Sequence, residues 1–101
     1  MALMEISLMP VGQGTSMSKY IAQAIKVLAE EPGLEYEITS MGTNVLGEVD
    51  QLLTVAQKMH QRIKDAGAPR IVTMIKIDDR MDKPITLTSK LESLKAKLGK
   101  K

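Results

Sequence analysis

Leu34-Glu35-Tyr36-Glu37-Ile38-Thr39-Ser40-Met41-Gly42-Thr43-Asn44-Val45-Leu46-Gly47-Glu48 reads as two short strands folded onto each other in mid-chain, and that reading decides the fold. Leu34, Tyr36 and Ile38 alternate with Glu35, Glu37 and Thr39, the pattern of a strand with one covered and one wet face. Met41-Gly42 supplies the turn into a second strand from Thr43 to Glu48, so the pair forms a hairpin, although it lacks the strongest turn dipeptides. Successive strand side chains point to opposite faces. Thr43, Val45 and Gly47 therefore share one face and Asn44, Leu46 and Glu48 the other. Polar groups on both faces mark this segment as a binding strand rather than an ordinary core strand.

The flanking sequence repeats a strand–helix unit on each side. Residues 2 to 9 alternate, with Met4, Ile6 and Leu8 opposed to Glu5, Ser7 and Met9, until Pro10 removes a backbone donor and Gly12 and Gly14 loosen the chain. From Ser16 or Ser18, either of which can cap, Met17, Ile21, Ala24, Ile25 and Leu28 recur at helical spacing until Pro32-Gly33. Beyond the hairpin, Val49, Leu52, Leu53, Ala56, Met59 or His60, and Ile63 trace a second helix. Asp50 complements its dipole and Gly67 lies past its end. Arg70 to Asp78 is a fourth strand whose density of β-branched residues predicts a central position. After a charged connection from Asp78 to Pro84, Leu87, Leu91, Leu94 and Leu98 stripe a short final helix with an apolar face to bury. The order βαββαβα predicts an α+β, ferredoxin-like βαββαβ sandwich: a four-stranded antiparallel sheet, two helices on one face and an extra C-terminal helix.

With 101 residues the chain is expected to be one domain, spanning 1–101. Two helices cover only one sheet face. The other would carry Leu3, Met9, Leu46, Val72 and Met74 among polar groups, which predicts a homo-oligomer with the site at or beside the sheet interface. Tyr20 and Tyr36 are the only aromatic side chains, while methionine occurs 8 times, so methionine must fill gaps that rings usually fill. Met4, Met9, Met41 and Met74, near strands, are read as core packing, with a soft pocket wall as the other role open to them.

The formal charge is +2 and the pI near 8.9. Residues 90 to 101 hold five lysines against Glu92, a local excess of four, so the other 89 residues sum to −2. That is a lysine-bearing helix end, not a basic face for nucleic acid. RNA stacking would also want more exposed rings than two tyrosines provide. The absence of cysteine removes disulfides, thiolate metal sites and cysteine nucleophiles. No secretory leader and no long apolar run is evident, so the expectation is a cytoplasmic protein with no membrane partner. Gly12-Gln13-Gly14 is too short for a dinucleotide fingerprint. His60, alone of its kind, sits at the edge of a helical stripe with nothing to complete a triad or coordination set. No cofactor, metal or catalytic residue is predicted.

Met9-Pro10-Val11-Gly12 ending the first strand, Ser40-Met41-Gly42-Thr43 and Gly47-Glu48 bounding the third, and Ile77-Asp78-Asp79-Arg80 with Asp82 ending the fourth span nearly the whole chain. In their order and spacing the chain resembles the small thiamine-binding domain family of ferredoxin-like proteins. The resemblance implies dimers or tetramers that bind thiamine or its hydroxymethylpyrimidine part without catalysing a reaction, for sensing, storage or delivery. It carries ligand contacts over to Thr43 and Glu48 first, then to Ser7 and Ser40. Leu46 stands where relatives often have a polar or acidic residue.

The chemistry of these residues is compatible with that implication. Glu48 can accept from the exocyclic amine of an aminopyrimidine or stabilise a protonated ring nitrogen, and Thr43 and Asn44 can offer adaptable hydrogen bonds. Gly47 can let the ring approach the backbone. Asp78, Asp79 or Glu37 can attract a thiazolium cation, with Met41 as an apolar neighbour. Acidic residues at a strand end are more often a solvated turn, where Asp79-Arg80 or Asp82-Lys83 pair at the surface. Opposite parity separates Thr43 from Glu48, so one ligand reaches both only if the strand bends, the site lies at its end, or two subunits contribute. A competing reading is a structural or regulatory homo-oligomeric module without a small-molecule ligand, built on the open sheet and the leucine-striped helix. A small hydrolase is a third.

Overall fold

A computed structural model describes residues 1–12 and 17–99 of the chain. Its elements are β1 (Ala2–Pro10), α1 (Met17–Glu30), β2 (Glu35–Ile38), β3 (Thr43–Gly47), α2 (Val49–Asp65), β4 (Ile71–Asp78) and α3 (Ser89–Leu98). The sheet runs β2-β3-β1-β4, with every neighbouring pair antiparallel. This is the ferredoxin-like arrangement that the element order predicts, with α3 added at the C-terminal end.

The two-residue period of β1 sets the layering. Ala2, Met4, Ile6 and Leu8 are buried, and the register sets Ala2 opposite Gly47, Met4 opposite Val45 and Ile6 opposite Thr43. Over them lie Tyr20, Ala24, Val27 and Leu28 of α1 and Leu52, Val55, Ala56, Met59 and Ile63 of α2. Each fully buried large side chain contributes about 1.5–3 kcal/mol of transfer free energy. Two ion pairs tie α2 to the end of α1, Lys58 to Glu31 at 2.9 Å and Arg62 to Glu30 at 2.8 Å. Both are partly exposed and add little.

The methionines divide by face. Met4 and Met59 are completely buried and do the space-filling expected in a core without Phe or Trp. Met9, Met41 and Met74 are exposed, on or beside the uncovered face. That face carries Leu3, Glu5, Ser7 and Met9 of β1, Asn44 and Leu46 of β3, and Val72, Met74, Lys76 and Asp78 of β4, as the parity of the sequence predicts.

Several expectations are corrected. β4 is an edge strand, not a central one. Its β-branched residues suit a pleated surface in either position, and composition does not encode which neighbours a strand acquires. Glu48 is the N-cap of α2 and not the last residue of a strand. Ser18 lies inside the first turn of α1, so it does not cap, and Ser16 falls outside the described residues. The leucine stripe of α3 is not buried: Leu91, Leu94 and Leu98 are 52%, 54% and 74% exposed. In the charged connection the ion pair is Arg80 with Asp82, through Nε at 2.8 Å and Nη2 at 2.6 Å. This two-pronged hydrogen bond holds the Asp82 carboxyl at about 2, below its usual 3.8.

Gly47 serves packing. A Cβ there would stand 2.6 Å from Leu34 Cδ2, with Gln51 and Leu52 close behind. Gly47→Ala is therefore expected to lower stability by about 1 kcal/mol, since the half-buried Leu34 can yield in part. The check is the urea midpoint at an unchanged denaturant slope. For Asp82 the folded value is depressed, so any stability from the pair is present above the unfolded value and is lost as pH falls through about 2. The side-chain carboxyl of Asp82, followed by NMR, should titrate near 2 and return to about 3.8 in Arg80→Ala.

Candidate functional site

The β2–β3 turn is built by a threonine. Thr39 donates its N–H to the Gly42 carbonyl at 2.8 Å, and its hydroxyl donates to the same oxygen at 2.8 Å. That hydroxyl also accepts the N–H groups of Met41 at 3.2 Å and Gly42 at 3.1 Å. Hydroxyl-to-backbone bonding of this kind stands in for the strong turn dipeptides the sequence lacks. Gly42 then passes tightly against β1, where a Cβ would come 3.1 Å from the Ile6 carbonyl oxygen and 3.5 Å from Ser7 Cβ. The turn is thereby fixed beside the second half of β1, with Ser40 and Met41 at its tip.

Between this turn, β1 and the first turns of α1 lies a cavity of about 290 Å³, near the lower limit of about 300 Å³ for small-molecule pockets. Ser7, Ser40, Met41 and Thr43 all line it, with Met9 of β1 and Ile21 of α1. Ser7 and Met41 also line a groove of about 470 Å³ on the uncovered face, together with Glu5, Met74, Ile75 and Lys76. A third depression, about 250 Å³, is lined by Leu3, Glu5, Asn44, Lys76, Asp78 and Lys90. Four of the six expected contacts, Ser7, Ser40, Met41 and Thr43, thus converge on one cavity, and Ser7 and Met41 join it to the open face.

Thr43 is the buried polar residue of the described chain, 4% exposed, and its hydroxyl has no hydrogen-bond partner among the described residues. Nearly all buried polar side chains find a partner. A buried hydroxyl left unpaired costs about 1–3 kcal/mol. This one lies in the wall of the cavity that Ser7 and Ser40 also line.

The other two residues lie apart. Asn44 faces the open side and donates a long 3.5 Å bond to Glu37. Glu48 caps α2 without a side-chain hydrogen bond, is 66% exposed at its carboxylate, and stands 3.8 Å from the amino terminus. Five residues of extended chain separate Thr43 from Glu48, about 16 Å, so a single small ligand does not span both within one protomer. Gly47 is turned into the core under Leu34 and offers no approach to the backbone. Among the acids expected to attract a cation, Asp78 pairs with Lys90 and Glu37 receives Asn44. The carboxylate that shares the groove with Ser7 and Met41 is Glu5, loosely paired with Lys76 at 3.7 Å.

Sequence reasoning missed Glu5, which reads as an ordinary wet-face residue of β1, and Ile21 and Ile25, which read as core. Their signal was present: Met17, Ile21 and Ile25 recur every four residues, a stripe beside the buried Tyr20, Ala24 and Leu28 that runs past the core into the cavity wall. His60 is half-buried, with Nδ1 2.6 Å from the Thr73 hydroxyl. No group of three or more His, Asp or Glu among the described residues is placed to hold a metal ion. No helix among them is long and apolar enough to cross a membrane.

Residues 4–95 match the family described as thiamine-binding protein. The UPF0045 protein YqgV of Bacillus subtilis is 39% identical over 98 residues, covering 93% of this chain and 94% of its own. The crystal structure of the hypothetical protein MJ1052 of Methanocaldococcus jannaschii superposes with a TM-score of 0.85 at 34% identity, covering 92% of this chain and 94% of its own. A Thermotoga maritima structure, of a protein proposed to act in thiamine biosynthesis or salvage, superposes with a TM-score of 0.78 over 92% of this chain and 97% of its own. At 22% identity that likeness speaks to the fold alone.

Thr43→Val keeps the shape of the side chain and removes the hydroxyl that has no partner among the described residues. It is expected to raise the stability of the ligand-free protein by about 1 kcal/mol, the reverse of the usual effect of a buried substitution. A thermal midpoint that falls instead would mean that the hydroxyl has a partner within the protein.

Proposed function

Since the chain belongs to the thiamine-binding protein family, we propose that it binds thiamine or its hydroxymethylpyrimidine part without catalysing a reaction, as a cytoplasmic protein that senses, stores or delivers the compound. The single observation that carries this reading is the buried Thr43 hydroxyl, without a partner among the described residues, in a cavity shared with Ser7 and Ser40. An aminopyrimidine brings ring nitrogens and an exocyclic amine that need partners once out of water, at about 1–3 kcal/mol for each left unpaired. Three hydroxyls that can each donate or accept suit that demand. Met41 and Met9 offer the flat ring soft sulfur and methylene contacts.

The groove on the open face continues from Ser7 and Met41, and Glu5 is assigned there to the thiazolium cation of an intact thiamine in place of Asp78, Asp79 and Glu37. Asn44 and Glu48 join the site through assembly: a second copy over the open face would bring a further set of these residues within reach. The exposed leucines of α3 and the mixed apolar surface of the sheet support self-association as a dimer or tetramer.

Calorimetric titration with thiamine and with hydroxymethylpyrimidine should give saturable heat. Thr43→Val should weaken binding about tenfold, equivalent to about 1.4 kcal/mol, in a protein at least as stable as the parent. Glu48→Ala should weaken it only in the assembled form. Absence of heat with either compound at millimolar concentration would dispose of the reading.

A further inference from the structure

For a helix that carries leucines, α3 presents an unexpected side to the rest of the chain. Ser89, Ser93 and Lys97 recur every four residues and so share one face of the helix. That face lines a cavity of about 420 Å³ against the connection from β4, whereas Leu91, Leu94 and Leu98 lie outside it and are more than half exposed. Arg80, Lys83, Pro84 and Ile85 form the other wall, with Ile85 buried at 6% exposure. The Ser89 hydroxyl fastens the connection to the first turn of α3, accepting the Thr86 N–H at 3.1 Å and donating to the Thr86 carbonyl at 3.2 Å. The enclosed volume falls within the range of about 300–1,000 Å³ for small-molecule pockets.

The walls are cationic. Lys83 and Lys97 come from opposite sides, and neither has an ion-pair partner among the described residues. Arg80 gives Nε and Nη2 to Asp82, which orients the guanidinium and leaves Nη1 without a partner among the described residues. The Ser93 hydroxyl is without one as well. Lys90 is already paired with Asp78 and takes no part. Glu92, the carboxylate in the wall, receives the Thr88 hydroxyl at 3.1 Å. Like charges that face one cavity repel, and an anion between them removes that cost.

We infer that this cavity binds the phosphate group of a small soluble molecule. A phosphate group brings three acceptor oxygens and a charge near −2, enough to meet Lys83, Lys97 and Arg80 together, whereas a carboxylate brings two oxygens and a single charge. The remaining space beside Pro84 and Ile85 takes a second phosphate or the body of the ligand. None of these residues lines the cavity around Thr43 or the groove at Met74, so the site stands whether or not the thiamine reading does.

Inorganic pyrophosphate, titrated into the full-length protein and followed through backbone amide NMR signals, should saturate at millimolar concentration or below and shift Lys83, Ile85, Ser93 and Lys97. Lys83→Gln and Lys97→Gln should each weaken binding about fivefold, the upper range for an exposed ion pair. Lys26→Gln, on the exposed side of α1 and outside the cavity, should leave binding unchanged. Ser93→Leu changes no charge but fills the cavity from an exposed helix position that the fold does not depend on, and it should abolish binding. Vesicles containing phosphatidylglycerol offer the same chemistry as a lipid headgroup and should not retain the protein. No saturation with pyrophosphate, an equal loss in Lys26→Gln, undiminished binding in Ser93→Leu, or binding to vesicles alone would each overturn the proposal.

Discussion

Everything in this molecule hangs from the burial of one side of β1. Ala2, Met4, Ile6 and Leu8 point into the helix layer, and the two-residue period of a strand then sends Leu3, Glu5, Ser7 and Met9 to the other side. α1 and α2 are both committed to the first side, and α3 reaches the second through Lys90 beside Asp78, so most of that side stays open among the described residues. The open face is thus a geometric consequence of a short βαββαβ chain, and the residues displayed there are the ones free to meet something else.

The candidate site follows from where that layering fails to close. At the end of β3 the turn built by Thr39 brings Ser40 and Met41 beside Ser7, while α1 supplies an apolar wall above Thr43. Thr43 has the helix-side parity of a core residue and is buried like one, yet it carries a hydroxyl with no partner among the described residues. Valine there would pack as well without the polar cost. A threonine at such a position is the kind of local inconsistency that function tends to leave in an otherwise consistent sequence. Methionine complements it: buried Met4 and Met59 replace rings in the core, while exposed Met9 and Met41 give the cavity an adaptable surface.

The gap between Thr43 and Glu48 is equally instructive. Both belong to the segment that the family resemblance marks, but one ends beneath α1 and the other caps α2 at the far end of the strand. A site that uses both needs more than one copy of the chain. Apolar side chains are also exposed at the β4 edge and on α3. Three surfaces are thus left open among the described residues, each for its own physical reason: uncovered sheet, edge strand and unburied leucine.

Alternation in residues 2 to 9 and 34 to 48, and the four-residue stripes at Ile21 to Leu28 and Leu52 to Ile63, settled the element order, the antiparallel sheet and the sorting of side chains between its two faces. They could do so because periodicity is a local property. Strand order across the sheet is not local: nothing in Arg70 to Asp78 says whether β4 has one neighbour or two, and its composition pointed the wrong way. Nor could spacing show that Glu48 leaves the strand to cap a helix, that Gly47 makes room for Leu34, or that Ser7 and Ser40, 33 positions apart, line the same cavity. Those facts arise when β1, the β2–β3 turn and α1 pack together, because distance in space is decided by the whole set of contacts and not by any one stretch of chain.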